Sequence, residues 1–195
     1  PSGQVTLFLY IAMLDAATAV VTVRRDWRSL VPVAFAGTFV VCTVWYFGHY
    51  TAADLVPAVA AATVYFAIFL ATAAVSQRRL VARSRLLTIF EIITPAVYVS
   101  ELYLLLSRTH HDALAIAAFG ISILYFGMAW KSRSATVGTP VPVYGGLTIA
   151  FTAVALAILL DTGWLSLGWF VEAAVVITMG FWLDLPWLRW GALLL

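Results

Sequence analysis

Seven apolar runs, each about as long as a bilayer is thick, follow one another along this chain: Val5 to Val23, Leu30 to Phe47, Leu55 to Val75, Leu86 to Leu106, Ala113 to Trp130, Val143 to Leu160 and Trp164 to Leu183. Each holds 18 to 21 residues, close to the roughly 20 that carry a helix across a ~30 Å hydrocarbon core. They cannot be the core helices of a soluble fold. With 64% hydrophobic and only 10% charged residues in 21.2 kDa, too little polar surface remains to dissolve one. Outer-membrane strands would alternate apolar and polar residues over segments of about ten, and these runs are continuous. The expected fold is all-α, an integral membrane bundle of seven transmembrane helices forming a single polytopic domain over residues 1–195.

The basic residues orient the bundle. The first gap carries Arg24, Arg25 and Arg28, the third Arg78, Arg79, Arg83 and Arg85, and the fifth Lys131 and Arg133, whereas the second, fourth and sixth together carry only Arg108. Cytoplasmic loops are the ones enriched in Lys and Arg, so the odd gaps face the cytoplasm and the N-terminus lies outside. Aromatic residues agree. Trp27, Trp130, Trp182, Trp187 and Trp190 fall at the inner boundary, and Trp45, Tyr46, Tyr50 and Trp164 at the outer one.

A net charge of +2 distributed in this way marks topology and gives no sign of a nucleic-acid surface. Arg78, Arg79, Arg83 and Arg85 form the densest group, the expected contact for lipid headgroups. Cys42 is the only cysteine, so no intramolecular disulfide can form. No basic segment precedes the first run, and a cleavable signal peptide is not expected. After Asp184 the chain reads Leu185 to Gly191 and stops in Ala192-Leu193-Leu194-Leu195. That ending reads as a short interfacial foot or a truncated eighth helix, and a start at Pro1 without methionine also suits a processed chain or fragment.

Short gaps make neighbouring helices antiparallel. Small residues let helix backbones approach where lipid supplies no hydrophobic drive. The fifth run offers such a stripe in Ala113, Ala117, Gly120, Leu124 and Gly127, and the third another in Ala60, Ala67, Ala71 and Ala74. Both are expected to be packing faces. The gap at 131–142, with Gly138, Pro140 and Pro142, suits a seam between a five-helix and a two-helix part.

Several stretches resemble an uncharacterised family of large bacterial multi-pass proteins known as a domain of unknown function. They are Tyr10 to Ala17, Arg24 to Leu30, Gly37-Thr38, Trp45-Tyr46, Gly146 to Ala155, Trp164, Trp169 to Ala174 and the Trp187 to Gly191 ending. The resemblance runs in the same order over most of the chain. It implies a predicted membrane protein of the bacterial cytoplasmic (inner) membrane, as a fragment or short paralogue of longer chains. It brings no established activity.

Chemistry, if the spans carry any, falls to residues that a bilayer makes expensive. Four carboxylates lie within the runs, Asp15, Glu91, Glu101 and Glu172, with no lysine or arginine inside a run to pair with them. A bare carboxylate there costs at least about 2.5 kcal/mol, so each must be protonated, bound to a cation or turned toward a hydrated interior. The fourth run concentrates the signal. Thr88, Glu91, Thr94, Tyr98 and Glu101 are spaced 3, 3, 4 and 3 apart and so share one helical face. Pro95 lacks an amide hydrogen, which frees the carbonyl of Glu91 four residues earlier, and a free carbonyl beside a carboxylate suits a proton or cation station. Asp15, Thr18 and Thr22 echo this in the first run. The alternative reading is interhelical hydrogen bonding, with Glu101 reaching headgroups and Glu172 a protonated packing residue.

Other chemistries have less to stand on. His49, His110, His111 and Asp112 fall in outer gaps, where adjacent histidines lack the i, i+4 spacing that aims two rings at one ion. No span holds a histidine for haem or a lysine for a retinal Schiff base. Nucleophile elbow, Walker loop, metalloprotease helix and dinucleotide fingerprint are all missing, so the sequence does not read as an enzyme's. The resulting expectation is a structural or accessory subunit, or scaffold, within a larger membrane assembly, partnered by lipid and by other subunits or further helices. The alternatives are a module moving protons, cations or lipid-like solutes along the carboxylate face, and a pigment- or quinone-binding subunit.

Overall fold

The computed structural model describes residues 2–25, 27, 29–78, 84–106, 110–132, 141–160 and 173. Among them are six α-helices, α1 (Ser2–Arg25), α2 (Leu30–His49), α3 (Leu55–Arg78), α4 (Arg85–Leu106), α5 (His111–Ser132) and α6 (Val141–Leu159), and no strand. All six are long and apolar enough to cross a membrane. The seventh run lies outside the described residues, apart from Ala173, which is helical. So do the C-terminal foot and residues 133–140 of the expected seam. The chain divides into two compact units, Pro1–Leu105 and Leu106–Leu195.

In the first unit α1, α2 and α3 pack closely. Helix α1 turns Phe8, Ile11, Asp15 and Thr22 inward, and α2 buries Val31, Thr38 and Trp45. The latter three are seven residues apart, the narrow seam of a helix touching neighbours along one line. Ile11, Val31, Tyr65, Phe69, Ala73 and Phe90 form the central core. Helix α4 joins it through rings. Phe90 meets Phe35 and Phe69 edge-on at 5.0 and 6.1 Å, and Tyr98 stacks on Phe66 at 4.6 Å, arrangements aromatic pairs favour. These rings act as spacers between α4 and its neighbours. Where α3 begins, Thr51 donates from both its amide and its hydroxyl to Asp54 Oδ2, at 3.0 and 2.6 Å, which satisfies the chain entering a short 3-10 turn, Ala52–Asp54.

In the second unit α5 and α6 lie close along their lengths. Ser122 Oγ donates to the carbonyl of Thr148 at 2.9 Å and lies 2.7 Å from Thr152 Oγ1, while Tyr125 is fully buried against Tyr144 and Phe151.

The small-residue stripes do not form these contacts. On α5, Ala113, Gly120, Leu124 and Gly127 are exposed, and a Cβ added at Gly120 or Gly127 would meet nothing within 4 Å. On α3, Ala60, Ala67 and Ala71 are exposed as well. Polar groups mark the inward faces of both helices. Turned inward, Ser122 on α5 bonds to α6 and Tyr65 on α3 to α1, and a tyrosine hydroxyl left unpaired in hydrocarbon is costly. Ala115 and Ala118 on α5, and Ala58, Ala62 and Ala73 on α3, supply the close approach from the buried faces.

Candidate functional site

The polar residues of the spans converge in the first unit. Helix α4 turns its polar face inward. Glu91 is fully buried and Thr94 is 1% exposed, Tyr98 is buried and Glu101 half-buried. The helix continues through Pro95. Each hydroxyl on this face has an acceptor or donor. Thr94 Oγ1 donates to the carbonyl of Phe90 at 2.8 Å, and Tyr98 Oη lies 2.8 Å from Thr63 Oγ1 of α3. Thr88 Oγ1 donates to the Ser84 carbonyl at 3.0 Å and accepts from Gln77 Nε2 at 3.1 Å. The Gln77 side chain also clasps the Ser84 backbone, donating to its carbonyl and accepting from its amide.

Asp15, on α1, is 4% exposed and meets α2, where Thr38 Oγ1 lies 2.9 and 2.8 Å from its two carboxyl oxygens. Thr38 also lines a cavity of about 20 Å3 with Thr94, Tyr98 and Glu101. That volume holds about one water molecule, and its lining supplies the polar partners a water needs. Asp15, Thr38, Thr94, Tyr98 and Glu101 are therefore neighbours on three helices, although they are dispersed in the sequence.

Glu101 differs from the others. No side chain or backbone group among the described residues donates a hydrogen bond to it. It borders a larger cavity of about 300 Å3, lined by Phe8 of α1, Cys42, Trp45 and Tyr46 of α2, and Ala58 and Tyr65 of α3. Two hydrogen bonds brace its walls. Tyr65 Oη donates to the carbonyl of Phe8 at 3.0 Å, and Tyr46 Oη to that of Leu104, near the end of α4, at 3.2 Å.

Of the remaining sequence candidates, Glu172, Arg79 and Arg83 lie outside the described residues. Arg78 closes α3 and Arg85 opens α4. His49 ends α2, and His111 and Asp112 begin α5. Among the described residues no three His, Cys, Asp or Glu side chains gather as a metal site would require. Thr38 entered the sequence reading only through the family resemblance, and Thr63 not at all. A span-centre threonine is a cue to an interhelical bond, but pairing it with Asp15 or Tyr98 requires the relative rotation of two helices. The Thr51–Asp54 pair was legible as a Thr-x-x-Asp motif ahead of an apolar run.

No curated protein and no solved structure matches the chain. Residues 2–195 match the family described as "Predicted membrane protein (DUF2339)". With its six membrane-length apolar helices and a match over nearly its whole length, the chain belongs to this family of multi-pass membrane proteins.

Proposed function

We propose that the chain is a structural or accessory section of a larger membrane assembly, a scaffold whose buried polar groups lock helices together. The observation that carries this reading is the bond between Asp15 and Thr38, which commits both oxygens of a span-centre carboxyl to one neighbouring helix. Tyr98 with Thr63 does the same between α4 and α3. The scaffold has seven spans, with the seventh over Trp164 to Leu183, lies in a bacterial cytoplasmic membrane, and keeps its N-terminus outside, as the arginine distribution supports. Its partners are other membrane subunits or further helices, with Arg78, Arg79, Arg83 and Arg85 at lipid headgroups. Purification in mild detergent with mass measurement of the particle tests this. Co-isolation of further membrane subunits or helices is expected, and a particle holding only these 195 residues would overturn it.

A second reading, proton or cation passage along α4, draws support from the water-sized cavity that joins Thr38, Thr94, Tyr98 and Glu101. Flux into vesicles separates the two. Glu91→Gln and Glu101→Gln variants that assemble normally and leave proton and sodium flux unchanged exclude passage.

A further inference from the structure

We propose that the 300 Å3 cavity of the first unit is a binding site for a lipid-like amphiphile with a protonated amine head group. The proposal is independent of both readings above. The volume lies at the lower end of small-molecule pockets, enough for a head group and the first part of a chain. Three features select the amine.

The first is the carboxyl. Glu101 is half-buried at the cavity wall and receives no hydrogen bond from any described residue. An ionised carboxyl is an acceptor only, so its oxygens at the cavity wall are open to a donor from a ligand. Among the described residues no cation pairs with it. Within α1 to α4, lysine and arginine occur only as Arg24 and Arg25 at the end of α1, Arg78 at the end of α3 and Arg85 at the start of α4. In an antiparallel bundle those positions lie at the end opposite Glu101, which is five residues short of the α4 C-terminus. A ligand ammonium would complete the pair and add charge-assisted hydrogen bonds.

The second feature is the aromatic wall. Phe8 and Trp45 meet edge-on at 4.8 Å, and Tyr46, Phe47 and Tyr65 line the same space. Ring faces attract cations within about 6 Å, most strongly at a site shielded from water. Aromatic rings beside one carboxyl form an ammonium-selective lining, whereas a neutral alcohol gains little from either.

The third is depth. Phe8, Trp45, Ala58 and Glu101 each lie three to six residues from a helix end on the same side of the unit, or roughly 5 to 9 Å along the axis. In a membrane that is the level of the head-group boundary and the first methylenes, where an amphiphile in the bilayer already holds its amine.

Cys42 lines the cavity and is the chain's only cysteine, which provides a reporter at the site. The test measures retention of radiolabelled dodecylamine by the protein in maltoside micelles, corrected for empty micelles, with dodecanol as the neutral control. Saturable amine binding is expected, about tenfold or more tighter than dodecanol. Glu101→Gln should weaken it by about tenfold to a hundredfold, the range of a hydrogen bond to a charged group. Ala61→Phe, which fills the cavity from another wall, should abolish it. Bound dodecylamine should also slow alkylation of Cys42 by N-ethylmaleimide. Equal retention of amine and alcohol, amine binding unchanged in both variants, or no saturable binding to a folded protein would each overturn the proposal.

Discussion

Thr38 Oγ1 stands within 2.9 Å of both carboxyl oxygens of Asp15, joining the middle of α2 to the middle of α1. The two residues lie 23 positions apart, and both are more than nine-tenths buried. The contact can form only at this rotation of the two helices. Turning either by a third of a turn would leave a carboxyl or a hydroxyl in hydrocarbon.

Thr38→Val keeps the shape of the side chain and removes the donor. The expected loss is about 0.6 kcal/mol and at most about 1.7, the span measured for interhelical hydrogen bonds in membranes. Asp15→Asn retains an acceptor for Thr38 and should cost less than Asp15→Ala. A double-mutant cycle of Thr38→Val with Asp15→Ala, read by unfolding in mixed micelles, isolates the pair. A coupling energy indistinguishable from zero would refute a locking role for this bond.

Tyr98 separates hydrogen bonding from ring packing. Tyr98→Phe leaves the stack on Phe66 and loses only the contact with Thr63, so about 1 kcal/mol of stability should go. Tyr98→Ala also removes the ring that helps space α4 from α3, and about 3 to 5 kcal/mol is expected. Matching losses in the two variants, measured in the same micelles, would mean that the ring does not hold α4.

Ser76 Oγ, near the end of α3, is the one buried side-chain polar atom without a hydrogen-bond partner among the described residues. An unsatisfied hydroxyl contributes its desolvation cost and nothing in return. Ser76→Ala should therefore be neutral or raise the unfolding midpoint. A clear drop would reveal a partner for this hydroxyl.

The positions of the helices along the chain were legible because the bilayer dictates composition over a fixed length, as in the expected Leu86 to Leu106 and the observed Arg85–Leu106. Their rotation was legible only where polar groups mark it. Glu91, Thr94 and Tyr98 show the inner face of α4, since lipid cannot host them. Apolar residues carry no such mark: Phe47 is 78% exposed and Phe90 5%, and lipid tails solvate either equally well. That is why the alanine and glycine stripes of α3 and α5 did not mark the faces at which these helices meet their described neighbours. The cavity beside Glu101 was hidden for a related reason, because its walls come from four helices and no single run encodes them.

Topology is open to a direct experiment. Arginine crowds the gap between α3 and α4, while the gap before α5 carries Arg108 alone, and charge near span ends sets orientation. Replacing Cys42 with alanine leaves a chain without cysteine, into which Arg79→Cys and Asp112→Cys are introduced one at a time. Treating intact cells with a membrane-impermeant maleimide should label Asp112→Cys and spare Arg79→Cys until the cells are broken. Removing Arg79 costs one of four basic residues in its gap, so the bias that orients the chain survives the substitution. The two sites flank α4, and opposite labelling therefore also requires α4 to cross the membrane. Labelling of both sites from outside would contradict that crossing, and the reverse pattern would invert the bundle and place the Glu101 cavity in the inner leaflet.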